Sequence, residues 1–211
     1  MLLLCQGRAD AILNYYIFED GGNLKIVTTG SLNLGGLASQ AGSTCTGTSP
    51  GGTLTPGSAL ICSGVETSST DPYKKYVVEP VNPGTTSFTA GSDSLDGADS
   101  TTGTRNWLWG GQALDPSFYI VAPYTDGAPI NSSATFIGKS LTDVGLDMTT
   151  SGTNIGSWTF FNDTNPNNVI NVFVGDPPNA PVPAPPLLIG AAGAYGWSRR
   201  LRRRIGSAGN R

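Results

Sequence analysis

The sequence predicts an all-β domain with a sandwich or jelly-roll-like architecture, flanked by end segments of a different character. Three observations support this fold class. Short runs of β-branched and aromatic residues recur along the chain. Clusters of Gly, Pro, Asn, Asp and Ser separate these runs, as turns separate strands. Apart from the stretch "KSLTDVGL", no segment keeps a helical hydrophobic period for more than a turn or two.

Residues 1–11 are predicted to be the remnant of a secretory signal peptide. Ala9 and Ala11 form the small-x-small pattern that signal peptidase accepts, so we expect cleavage after Ala11. The three leucines at positions 2–4 are too few to be the complete apolar region of such a peptide. We therefore expect the leader to begin upstream of Met1.

Residues 12–175 are predicted to form the secreted β domain, with nine to eleven strands. The first two strands flank Asp20-Gly21-Gly22, which is a hairpin signal. The segment "SLNL" alternates Leu32 and Leu34 and is also strand-like. The other candidate strands are "ALIC", "KYVVE", "TSFTA", "NWLWG", "SFYIVA", "ATFIG", "SWTFF" and "VINVFVG".

Charge is divided unevenly along the chain. Residues 12–180 hold five Lys or Arg against fourteen Asp or Glu, whereas residues 181–211 hold six Arg and no acid. An acidic body would repel phosphates, so we expect no nucleic acid as a partner.

Two of the three cysteines are candidates for a disulfide. Cys45 and Cys62 flank a segment rich in Gly, Ser, Thr and Pro. A bond between them would close a loop of about 17 residues and contribute about 3 kcal/mol. Such a bond is typical of exported proteins. The alternative is a pair of free thiols.

The sequence contains no His, which excludes most catalytic relays. Without it there is no Ser-His-Asp or Cys-His relay and no His-ligated metal, so we expect neither an enzyme nor a bound cofactor. A glycoside hydrolase with a carboxylate pair remains a remote alternative, because Glu19, Glu66, Glu79 and scattered Asp residues are present.

Calcium is the cofactor that the sequence leaves open. Asp93, Asp96 and Asp99 around Gly97 offer hard oxygen ligands. Their spacing fits neither an EF-hand nor a glycine-aspartate nonapeptide repeat, which favours a solvated acidic loop.

Aromatic side chains offer a carbohydrate-binding alternative. Alternation along "NWLW" places Trp107 and Trp109 on one face of a strand, and Tyr124 is a third candidate. Flat rings can stack on sugars, although core packing is the commoner fate of such residues. Exposure of these rings would favour a carbohydrate-binding module.

The C-terminal end reads as a linker followed by a membrane segment. Residues 176–186 are a proline-rich, semi-rigid spacer. As a helix, the apolar run 187–197 reaches only about 16 Å, but an extension to residue 205 reaches about 28 Å, close to the bilayer core. We therefore predict a transmembrane helix over residues 187–205 and a disordered tail over 206–211. The apolar run consists of Leu187, Leu188, Ile189, Gly190, Ala191, Ala192, Gly193, Ala194, Tyr195, Gly196 and Trp197. The cytoplasmic side is marked by Arg199, Arg200, Arg202, Arg203 and Arg204.

This tail resembles the PEP-CTERM sorting signal of exported bacterial proteins. In that family a Val-Pro-Glu-Pro motif precedes a short transmembrane helix and an arginine cluster. The matching residues here are Val182, Pro183, Ala184 and Pro185, so Ala184 replaces the usual Glu. A weaker resemblance to the body of small PEP-CTERM proteins rests on Pro123, Gly127, Pro129, Ala134, Thr135, Phe136, Gly145 and Leu146.

The resemblance implies how the protein is handled. An exosortase-type membrane transpeptidase would recognise the tail while it is held transiently in the inner membrane, and would then remove it. The mature β body would reach the cell surface or the extracellular matrix. Its implied role is structural or adhesive, within an exopolysaccharide layer. The family supplies no established molecular activity for the body.

Overall fold

The structure is a computed structural model of the 211-residue chain. It describes residues 11–43, 45, 51–66, 72–81, 87–88, 94–111, 115–146 and 152–178. The chain divides into two units, Met1–Pro177 and Pro178–Arg211. The predicted sorting motif, transmembrane helix, arginine cluster and tail lie outside the described residues, as does Ala9. In the part of the chain that is described, no helix is long and apolar enough to cross a membrane.

The prediction of an all-β domain is confirmed. The described residues form thirteen strands, more than the nine to eleven predicted. Two single-turn 3₁₀ helices, Pro56–Ser58 and Thr142–Val144, accompany them, and the second lies within "KSLTDVGL". The strands are β1 Ile12–Asp20, β2 Asn23–Gly30, β3 Gln40–Gly42, β4 Thr53–Thr55, β5 Leu60–Ser63, β6 Tyr73–Pro80, β7 Leu95–Asp96, β8 Ser100–Gly103, β9 Asn106–Trp109, β10 Ser117–Val121, β11 Ser132–Phe136, β12 Thr153–Phe160 and β13 Val169–Val174.

Hydrogen bonding joins the strands into one curled sheet in the order β7-β4-β5-β9-β10-β6-β12-β13-β1-β2-β11-β8. β3 is off this path and pairs with the first residues of β6. The pairing of β1 with β13 is parallel, whereas β1 with β2 is antiparallel. The two end strands β7 and β8 follow each other in the chain, joined by Gly97–Asp99. The amide of Asp99 donates to the carbonyl of Thr135, so the ends of the sheet approach each other.

The hairpin predicted at the start of the domain is present. β1 and β2 pair out to Asp20 and Asn23, which leaves Gly21 and Gly22 as the two-residue loop. Their φ angles of +60° and +77° are those of a type I′ turn, whose twist matches that of the flanking strands. Ala11, the predicted cleavage residue, lies buried directly before β1, and its carbonyl accepts a hydrogen bond from the amide of Val169.

The segment "SLNL" is not a strand, although both leucines are buried as the alternation predicts. Side chains take the place of a neighbouring strand, together with the amide of Gly127, which donates to the carbonyl of Leu32 at 2.9 Å. The Tyr124 hydroxyl accepts from the amide of Leu32 and lies 3.1 Å from its carbonyl. The Asn168 amide bonds both backbone groups of Asn33, and Asp126 accepts from the amide of Leu34. A backbone that side chains satisfy in this way needs no sheet partner.

The predicted strand "TSFTA" is described only at Ser87 and Phe88, which lie outside the strands. Phe88 nevertheless packs against the core. Its ring meets that of Trp158 edge to face at 6.0 Å, and its amide donates to the carbonyl of Pro56.

A chain of buried hydrogen bonds crosses the apolar core. It starts at the Tyr15 hydroxyl, which donates to Asn106 Oδ1. Asn106 Nδ2 donates to Ser132 Oγ at 2.9 Å, and two further contacts of 2.8 Å continue from Ser132 through Ser63 to Thr28. These five side chains come from β1, β9, β11, β5 and β2. This series of hydrogen bonds therefore fixes how strands from distant parts of the sheet meet inside it.

Candidate ligand-binding face

The face of β9, β10 and β6 that points away from the core carries two cross-strand rows, which follow from the register. The inner row runs through Cys62, Trp107, Tyr119, Lys75 and Gln40. The outer row runs through Leu60, Trp109, Ser117 and Val77, and ends at Phe161, whose amide donates to the carbonyl of Val77 at 3.1 Å.

The inner row is closed to solvent at its aromatic pair. The rings of Trp107 and Tyr119 stack at 3.5 Å with an interplanar angle of 7°, and only 6% and 5% of these residues are exposed. Burial raises the pKa of Tyr119, against a smaller lowering by its hydrogen bond with Ser117. Trp107 therefore supports the sheet and does not present its ring face to a ligand.

The predicted disulfide is present at the end of this row. Cys45 and Cys62 are bonded with their Cα atoms 6.5 Å apart, and both are buried beside Trp107. The bond fastens Cys45, which precedes β4, to the outer surface of β5. It also covers one edge of the Trp107–Tyr119 stack with apolar atoms.

The outer row is open at both ends. Trp109 is 36% exposed and Phe161 is 51% exposed. Three strand spacings separate them, from β9 across β10 and β6 to the end of β12, which is about 14 Å. Ser117 and Val77, which lie between them, have shorter side chains than the rings on either side. Ser117 is fully buried and Val77 is half-buried, so the row presents two exposed rings that are separated by covered positions.

Two cavities flank Phe161. The first, of about 280 Å³, lies where β6 changes its partner from β12 to β3. Its polar lining includes Gln40, Lys75 and Asn162, and its apolar lining includes Leu37 and Phe160. The second, of about 340 Å³, is lined by Glu79, Asp115, Pro80 and Pro116. Val77 and Phe161 border both cavities, so the exposed ring stands between two open clefts.

Tyr76 forms the inner wall of the first cavity. Its ring meets that of Phe160 edge to face at 6.1 Å. The pKa of Tyr76 is raised mainly by burial; a hydrogen bond from Ser39 lowers it, and the charge of Asp126 raises it further. The hydroxyl therefore stays protonated near neutral pH and contributes a neutral group to this cleft.

Tyr124 does not join the outer row. Its hydroxyl donates to the carbonyl of Ala128 at 2.7 Å and contacts both backbone groups of Leu32. Burial is the main cause of its raised pKa, which the backbone of Leu32 lowers and the charge of Asp126 raises. The hydroxyl of Tyr124 thus holds the 31–34 segment in place through the backbone of Leu32.

Of the acidic residues considered for calcium, Asp99 is engaged through its carboxylate, whereas Asp96 is paired through its backbone. Asp99 Oδ2 accepts from the amide of Ile137 at 2.6 Å, and Asp96 pairs with Thr53 in the ladder of β7 and β4. Asp93 lies outside the described residues. Within the described ranges, no group of three or more His, Cys, Asp or Glu side chains could hold a metal ion.

The glutamates that could serve a hydrolase are dispersed. Glu19 accepts from the amide of Leu141 at 2.7 Å, and Glu66 lies 3.5 Å from the buried guanidinium of Arg105. Glu79 lines the second cavity together with Asp115. These last two carboxyl groups can accept hydrogen bonds from hydroxyl groups of a ligand in that cleft.

The sequence interpretation missed Phe161, although a signal for it exists. In "SWTFF" two phenylalanines are adjacent, and neighbouring strand residues point to opposite faces. Phe160 is buried in the core, so the next ring must lie on the outer surface.

No protein-family model matches the chain, and neither does any curated protein or any solved structure.

Proposed function

We propose that the chain is an exported protein that is sorted through its C-terminal signal to the cell surface or extracellular matrix, where its β body is structural or adhesive. The observation that supports this proposal best is the buried disulfide between Cys45 and Cys62. Structural disulfides form and persist in oxidising compartments, which lie outside the cytosol of most cells.

The arrangement of the chain also fits this proposal. The compact unit ends at Pro177, within the first two residues of the predicted proline-rich linker and before the predicted sorting motif. All thirteen strands of the described sheet lie between Ile12 and Val174, before the predicted motif. We assign the curled sheet to the sandwich or jelly-roll class, because side chains from strands far apart in the sheet fill its interior.

Carbohydrate binding by the body is the second candidate function, and it would provide the adhesion. The observation that favours it is the outer row, where Trp109 and Phe161 are exposed and two clefts lie beside Phe161. Aromatic rings with a few polar groups around them are typical of sites for small polar ligands.

The sorting proposal is tested by changing the motif and following the protein through cell fractions. In cells that naturally encode the protein, we expect the wild-type body at the surface or in the medium, without its tail. A Pro183→Ala/Pro185→Ala variant should accumulate in the inner membrane with the tail attached. A Pro177→Ala variant, changed in the linker outside the motif, should be processed like the wild type. Recovery of the wild-type chain from the cytosol, or normal processing of the motif variant, would contradict the proposal.

A further inference from the structure

We propose that the two clefts beside Phe161 form one binding groove for an uncharged polysaccharide chain, which lies across the strands along the outer row. This inference deepens the carbohydrate-binding function proposed above and rests on it. It assigns the site to Phe161 and its two clefts, with Trp109 as a second platform, and it excludes Trp107 and Tyr124.

The position of Phe161 is the first argument. Its amide is held by the carbonyl of Val77, so its backbone is fixed at the end of β12. Its ring is about half exposed and is shared by both cavities. An exposed ring on a backbone held in this way, between two clefts, offers a flat apolar face to a ligand.

The lining of the clefts is the second argument. Gln40 and Asn162 on one side supply amide donors and acceptors, and both are exposed. Glu79 and Asp115 on the other side supply carboxylate acceptors. Lys75 adds a donor to the first cleft. Such a mixture around one ring suits a ligand that has apolar faces and many hydroxyl groups, which is the chemistry of a sugar.

Charge excludes an acidic polymer. Residues 12–180 carry five basic against fourteen acidic side chains, so the body repels polyanions. Two of these acids, Glu79 and Asp115, lie in the groove itself. A neutral chain avoids this repulsion and can still donate its hydroxyl groups to both carboxylates.

The direction of the ligand follows from the outer row. Trp109 lies on the same row as Phe161; between them Ser117 is buried and Val77 is half-buried, so the two rings are the exposed contacts that the row offers. A ligand that leaves the clefts along this row meets a second exposed ring after about 14 Å. A chain of several sugar units can contact both rings, whereas a monosaccharide can contact only one.

The test is affinity electrophoresis of the full chain in native gels that contain a neutral polysaccharide, either hydroxyethyl cellulose or glucomannan. We expect the gel to retard the wild-type protein, and Phe161→Ala to weaken binding by about tenfold or more, as for a central aromatic contact. Trp109→Ala should weaken it less, and the double variant should migrate as if no polysaccharide were present. Ile137→Ala is the matched control, because Ile137 is 65% exposed and lines neither cavity. Urea unfolding of each variant shows that the fold is intact.

The outcomes separate the inference from the function on which it rests. If the wild type and Phe161→Ala bind equally well, carbohydrate binding stands and the groove is the wrong site. If only anionic alginate, included in a third gel, retards the wild type, the inference of an uncharged ligand is overturned and carbohydrate binding stands. If none of the three polysaccharides retards it, the inference is overturned together with the carbohydrate function. The sorting proposal is unaffected, because fractionation tests it separately.

Discussion

The buried hydrogen-bond chain gives a prediction with a definite magnitude. Asn106 accepts from the Tyr15 hydroxyl and donates to the carbonyl of Thr104 at 2.8 Å and to Ser132 at 2.9 Å. An Asn106→Ala substitution leaves the fully buried Tyr15 hydroxyl unpaired, at a cost of about 1–3 kcal/mol. It also removes two further hydrogen bonds, which together contribute at least about 1 kcal/mol. We expect the free energy of unfolding to fall by about 3 kcal/mol.

The coupling between Tyr15 and Asn106 tests the reasoning more sharply. Tyr15→Phe alone removes the donor from Asn106 Oδ1 and should cost about 1 kcal/mol. In the Asn106→Ala background the same change removes a hydroxyl that is already unpaired, so it should cost nothing or stabilise the protein. The double variant should therefore be more stable than the sum of the single effects by about 1 kcal/mol or more.

The assay is urea unfolding of the full, oxidised chain, followed by tryptophan fluorescence. The control is Thr102→Ala, which breaks an exposed hydroxyl pair with Ser133 and should cost less than about 0.5 kcal/mol. Two results would contradict this account of the buried hydrogen bonds. One is that the changes in unfolding free energy of the Tyr15 and Asn106 variants add to within about 0.3 kcal/mol. The other is that Asn106→Ala lowers the unfolding free energy no more than Thr102→Ala does.

Three further predictions concern stability. Reduction of the Cys45–Cys62 bond, which spans 17 residues, should lower the free energy of unfolding by about 3 kcal/mol; equal urea midpoints with and without reductant would contradict this. Gly30→Ala should destabilise the protein more than Gly138→Ala, because both glycines have positive φ but only at Gly30 would a Cβ collide with backbone; the order of their thermal midpoints checks this. Burial raises the pKa of Tyr15, so its contribution to stability is present below its ordinary pKa of about 10 and is lost as the pH rises through the raised value. Alkaline unfolding should therefore be less steep in Tyr15→Phe, and identical profiles would refute this.

Much of the fold could be predicted from the sequence, because most long strands carry their own signal. Asp20-Gly21-Gly22 specifies a two-residue hairpin loop, and four of the six residues of β13 are β-branched. The strands β3, β4, β7 and β8 were missed because they have only two to four residues each, too few to show a hydrophobic period. Such short segments become strands because neighbouring strands pair with them, and not because their own residues favour β structure.

The 31–34 segment shows a different reason for failure. The alternation of Leu32 and Leu34 predicted a strand, which is absent from this described segment, although both leucines are buried. The pattern could not show that side chains distant in sequence take the place of a strand partner. Tyr124, Asp126 and Asn168 supply those contacts. A periodicity reports which face is buried and says nothing about which groups satisfy the backbone.

The candidate site was predicted only in part. Alternation placed Trp107 and Trp109 on one face, as the register confirms. It could not show that Tyr119 and the disulfide close off Trp107 while Trp109 stays open, because that depends on the neighbouring strands. The groove depends on where β6 exchanges β12 for β3, and no local pattern encodes that exchange.

The intact mass of the protein recovered from its native envelope tests the central claim most directly. We expect a chain that begins at Ile12, ends close to Pro186 and is lighter by two hydrogens than its fully reduced form, as one internal disulfide requires. A species that retains Arg211 and both free thiols would contradict the account of an exported and processed β body.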